Sequence, residues 1–66
     1  MPKLPRWTAQ EAERALQLAG FAHLRSKGSH RVYGHLSLRV TVPFHGLQIL
    51  HPKIIKQILD MINAAS

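Results

Sequence analysis

Nine consecutive residues, Arg25-Ser26-Lys27-Gly28-Ser29-His30-Arg31-Val32-Tyr33, set one imidazole among three cations, with an aromatic ring three positions on. A neutral histidine can take a proton as a general base near neutral pH. Guanidinium and ammonium groups beside it can hold a phosphate and stabilise the charge that develops in a transition state. RNA brings its own nucleophile, the 2′-hydroxyl, so this combination would suffice to cleave it without a metal; DNA lacks that group. From the residues alone a plainer reading of His30 is preferred: a turn histidine that bonds backbone, or touches phosphate without catalysis.

Other hydrolytic chemistries find little to work with. Two-metal cleavage needs clustered carboxylates, and the acids are Glu11, Glu13 and Asp60 alone. Glu11 is expected to serve a helix cap, with Glu13 on another side of that helix and Asp60 far along the chain. A histidine-only zinc site would need three of His23, His30, His35, His45 and His51 to converge, and no helical i,i+4 pair exists among them. The chain has no cysteine, which excludes disulfides and Cys-based zinc and fits a reducing cytoplasm. No metal and no cofactor are therefore expected. His23, His35 and His51 read as structural or solvent-facing, and Tyr33 as a packing or stacking ring.

Nine Lys and Arg against three acids give a formal charge of +6 on 66 residues. A surplus of that density points to a polyanionic partner, nucleic acid before any other, because the basic residues crowd the turn. No segment joins a strong basic face to a strong apolar one, and no apolar run approaches the ~20 residues of a membrane span, so no membrane role is expected. No signal-peptide pattern opens the chain. The length has room for one domain, residues 1–66, with a thin core.

The elements that must position the turn follow in order. Residues 1–7, with Pro2 and Pro5, read as an extended lead-in. Thr8-Ala9-Gln10-Glu11 is a capping box, Trp7 stands at the staple position toward Ala12, and Ala12, Ala15, Leu16 and Ala19 share one helical stripe that Gly20 ends. Phe21 to Ser26 reads as a first strand, turning at Lys27-Gly28-Ser29, where Gly28 supplies a positive φ and Ser29 a hydroxyl to bond nearby backbone. His30 to about His35 is the second strand, with Gly34 signalling a bulge or early end. Alternation puts His30, Val32 and Gly34 on one face and Arg31, Tyr33 and His35 on the other. Leu36, Leu38, Val40 and Val42 alternate with Ser37, Arg39 and Thr41 in a third strand that Pro43 stops. Phe44 to Leu50 is a loop with two or three apolar side chains tucked inward. His51-Pro52 opens a last helix with Ile54, Ile55, Ile58, Leu59 and Ile62 on its apolar face. The expected fold is α+β in α-β-β-β-α order: a two-layer sandwich of three antiparallel strands, both helices on one face and the other face open.

Taken as an ordered set, these features resemble the HicA family of toxins from bacterial toxin–antitoxin pairs. The set is Leu16, Gly20-Phe21, Arg25, Gly28-Ser29-His30, Tyr33, Val40-Thr41-Val42-Pro43, His45 and the run Ile54 to Ile62, with Leu4-Pro5-Arg6 similar to one branch of the family. Two departures fall at the last helix. Pro52-Lys53-Ile54 stands where many members have Pro-Gly-Thr, and Met61-Ile62-Asn63-Ala64-Ala65-Ser66 where many end in Gly-Leu.

The resemblance implies a double-stranded-RNA-binding-domain-like fold and a cytoplasmic bacterial or archaeal mRNA interferase, an endoribonuclease that arrests translation and growth. It implies His30 as the catalytic residue. His45 matches a second family histidine, and an acid role or an RNA contact stands level with a local loop role. Arg25, Lys27, Arg31 and Arg39 would contact RNA, with Gly28 and Ser29 forming the motif turn. A HicB-type antitoxin is the implied protein partner. A rival reading is a non-catalytic RNA-binding module that reads duplex shape, for which Lys53 and Lys56 offer a thin cluster at the start of the last helix.

Overall fold

The computed structural model describes residues 3–66. The elements run α1 (Ala9–Leu18), β1 (Ala22–Lys27), β2 (His30–His35), β3 (Leu38–Pro43) and α2 (Pro52–Ala65). The strands form one antiparallel sheet in the order β1-β2-β3, and both helices lie on the same side of it. The body measures 29 × 29 × 17 Å, two layers thick. This is the expected α+β sandwich.

Local chemistry accounts for each boundary. The Thr8 hydroxyl accepts from the Glu11 amide at 3.3 Å, while the Glu11 carboxylate accepts from the Thr8 amide at 2.9 Å, completing the capping box. At the other end Gly20 takes φ +98°, and the Phe21 and Gly20 amides donate to the Leu16 and Gln17 carbonyls. That is a Schellman ending, in which only a residue free of a Cβ turns the chain cheaply. Phe21 is therefore not the first residue of β1: it is the buried partner of Leu16 that closes the helix, and β1 starts at Ala22. His51 caps α2, its Nδ1 accepting from the Lys53 amide at 3.0 Å, with Pro52 at the first helical position. Residues 3–7 carry no helix or strand; Pro2 lies outside the described residues.

The core sits between the layers. Leu16, Ala9 and Ala12 of α1, Tyr33 of β2, Val40 and Val42 of β3, and Ile55 and Ile58 of α2 are all buried there, with Trp7 and Phe44 packed at its margin. From the 44–50 loop Leu50 is buried and Phe44 half-buried, whereas Leu47 is exposed. The helices cover β2 and β3, and every residue of β1 is exposed.

Two further details differ from the sequence expectation. Leu36 is not in a strand: with Ser37 it makes the β2–β3 turn, at φ +56° and 78 % exposed. The irregularity expected at Gly34 lies on the facing strand, where the pairing slips between His23 and Arg25. Gly34 itself stays in register with Ala22 and Arg39. Its missing Cβ leaves room for Leu24, whose Cδ1 lies 2.5 Å from where that Cβ would stand. The bulge turns Leu24 and Arg25 to the same open side of the sheet.

Candidate active site

The β1–β2 hairpin turn consists of Gly28 and Ser29, closed by the pair Lys27 and His30. Gly28 has φ +59° and Ser29 does not share the positive sign, the pattern of a II′ turn, whose twist matches that of the strands. A Cβ at Gly28 would meet nothing within 4 Å, so the glycine is required by its backbone and not by crowding. The Ser29 hydroxyl makes no hydrogen bond among the described residues. Its carbonyl does the holding, accepting from the Phe44 amide at 2.6 Å and extending the sheet past Pro43.

His30 opens β2 on the uncovered face, between Lys27 of β1 and Pro43 of β3. A concave patch of about 660 Å³ lies there, lined by Arg25, Ser26, Lys27, Gly28, His30, Val32 and Thr41. Arg25 and Lys27 reach it because the bulge restores Arg25 to the face that Lys27 and Val32 share. Neither forms an ion pair among the described residues, which leaves both charges for a ligand. His45, carried past β3 by the Phe44 anchor, stands edge-on to His30, with ring centroids 6.2 Å apart and planes at 89°. Both rings are exposed, and no hydrogen bond joins them.

The other expected cations are placed differently. Arg31 pairs with Ser26 and with buried Val42 and so lies on the helix side. Its Nη1 is 3.2 Å from Glu13 Oε2, and its guanidinium carbon is 4.0 Å from the centroid of Phe44. Arg31 is therefore not among the cations beside His30. Arg39 is on the open face, but it donates to the Leu36 and Leu38 carbonyls at 2.9 and 2.7 Å. It pairs with Gly34, four residues and roughly 13 Å along β2 from His30.

Tyr33 is fully buried on the helix side and its hydroxyl donates to Glu13. Burial, then the hydrogen bond and charge of Glu13, push the phenol well above its ordinary pKa. His23 bonds the Ser26 hydroxyl at 2.8 Å, His35 packs on Phe21, and His51 caps a helix; all three serve the structure. Glu13 is the participant that reading along the chain missed. Its partners are 18 and 20 positions away, and its place on the helix gave no sign of them. Among the described residues no three His, Asp or Glu side chains converge as a metal site would need, and no helix is long and apolar enough to cross a membrane.

No curated protein and no solved structure matches the chain. The family model described as HicA toxin of bacterial toxin–antitoxin matches residues 9–64, from the first residue of α1 to the last turn of α2. The chain belongs to the HicA toxin family.

Proposed function

We propose that this HicA-family toxin is a metal-independent endoribonuclease, acting as one domain over residues 1–66, whose general base is His30. The observation that carries the reading is the meeting of His30 and His45 across 6.2 Å, beside Arg25 and Lys27, whose charges have no ion-pair partner among the described residues. In this mechanism Arg25 and Lys27 hold the phosphodiester on the open sheet face. His30 takes the proton of the 2′-hydroxyl, and the 2′-oxygen forms a bond to phosphorus. The bond from phosphorus to the 5′-oxygen breaks, and that oxygen leaves with a proton from the His45 imidazolium. The products are a 2′,3′-cyclic phosphate and a 5′-hydroxyl end. Each proton given up by the substrate is matched by one returned, so the reaction needs no oxidant and no metal-bound water.

The family implies an antitoxin partner and an RNA target in general. We assign mRNA as the substrate and a HicB-type protein as the antitoxin, masking the His30 patch in the cytoplasm with carboxylates that face Arg25 and Lys27. Substrate chemistry tests the catalytic reading. An RNA carrying 2′-deoxyribose at the one cleaved position should resist cleavage while still binding, in buffer containing EDTA. Cleavage at the deoxy position would rule out the 2′-hydroxyl as nucleophile.

A further inference from the structure

We propose that Arg31 is a positioning residue for the histidine pair: Glu13 of α1 holds its guanidinium over Phe44, and Phe44 holds His45 against His30. The proposal rests on the catalytic reading of His30 and His45 above.

His45 is exposed and accepts or donates no hydrogen bond within the described residues, so its ring has no tether of its own. Its place is set by the residue before it. Phe44 is tied at two points, its amide to the Ser29 carbonyl at 2.6 Å and its ring under the Arg31 guanidinium at 4.0 Å. The first tie fixes where the backbone leaves the sheet. The second fixes how Phe44 lies, and hence the direction in which the next side chain is presented. A planar guanidinium suits that task, because it can lie on an aromatic face while bonding a carboxylate at its edge.

Arg31 is held in turn. Its Nη1 meets Glu13 Oε2 at 3.2 Å, and the same carboxylate oxygen accepts a hydrogen bond from the Tyr33 hydroxyl. Glu13 is only partly exposed, at 23 %, so its charge is screened less than that of a free surface acid. The result is a continuous line from α1 through Glu13, Arg31 and Phe44 to His45. An arginine on the helix side, paired with an acid and stacked on a ring, is spent on this line and not on a phosphate of the open face.

Nuclear magnetic resonance and steady-state kinetics together test the assignment. The folded wild type should give a nuclear Overhauser cross-peak between the His30 and His45 rings. Arg31→Gln and Phe44→Leu should each weaken it. In both variants kcat should fall roughly tenfold to a hundredfold, the size of effect that misplacement by about an ångström produces, with KM almost unchanged. Arg31→Lys, which keeps a cation over Phe44 but not the flat fork, should recover part of both and guards against a Gln variant that folds poorly. An unchanged cross-peak in folded Arg31→Gln would overturn the proposal. So would a change confined to KM, with the salt dependence of RNA binding reduced by about one phosphate contact, since that marks Arg31 as an RNA ligand. If the wild type cuts no RNA, the catalytic reading fails, while the cross-peak still decides whether Arg31 places His45.

Discussion

His45 presents its ring edge-on to His30 at 6.2 Å, although all of β2 and β3 separates them along the chain. Two imidazoles at that spacing can address one phosphodiester from two sides, one taking a proton and the other returning it. Loss of either ring should therefore slow cleavage, the loss of the base more than the loss of the acid. His45→Ala should retain partial activity, measured as kcat on labelled RNA. A folded His45→Ala protein that cuts at the wild-type rate would assign the acid elsewhere.

Tyr33 and Glu13 make stability sensitive to alkali. Burial and the Glu13 carboxylate raise the Tyr33 pKa in the folded protein, whereas an unfolded tyrosine ionises near about 10. Above that pH the unfolded chain has released a proton that the folded protein still holds, so the equilibrium moves toward unfolding. The contribution is intact below about pH 10 and is lost as pH climbs toward the raised folded value. Denaturant unfolding at successive pH values should therefore give a steeper alkaline loss for wild type than for Tyr33→Phe. Equal slopes would mean that Tyr33 does not contribute this dependence.

Much of the fold was legible in the sequence because its signals are local. The Thr8–Glu11 box, Gly20, His51-Pro52 and the alternation from Leu38 to Val42 each specify a structure within a few residues. Leu36 reads as strand for a related reason: a period of two runs on through a two-residue turn, and nothing in Leu36-Ser37 marks one. The slip on β1 left its trace on the opposite strand, at Gly34, which makes room for Leu24. His30 and His45 were both legible as candidates, but their meeting depends on the Phe44 anchor, which is tertiary. Arg31 neighbours His30 in sequence, yet strand alternation sets it on the opposite face. Glu13 could not be read at all, since its value lies in partners from another layer.

Antitoxin binding should depend on salt. Arg25 and Lys27 stand on the exposed β1 strand without acidic partners among the described residues, and a carboxylate-bearing partner would be steered to them. Association of the toxin with its antitoxin, followed by stopped flow, should slow markedly between low and high ionic strength. Arg25→Gln together with Lys27→Gln should flatten that dependence. A rate indifferent to salt in the wild type would remove the electrostatic account of the partner.

The hairpin turn should tolerate little beyond glycine at position 28. Its φ of +59° costs a residue with a Cβ roughly 1–2 kcal/mol, and a β-branched residue more. Gly28→Val should lower the unfolding free energy by that order, read from denaturant unfolding, even though no neighbour lies within 4 Å to collide with it. A Gly28→Val protein as stable as wild type would mean that the turn does not need this backbone.

His30→Ala decides whether this imidazole is the base, with cleavage, binding and folding measured on the same preparation. Cleavage of labelled RNA should fall on the order of 10²–10⁴-fold, the worth of a general base. RNA affinity should change little, because Arg25 and Lys27 neutralise the phosphate and a neutral imidazole does not. Circular dichroism should match the wild type. A folded His30→Ala protein that cuts RNA at the wild-type rate would rule out His30 as the base and leave it a turn residue.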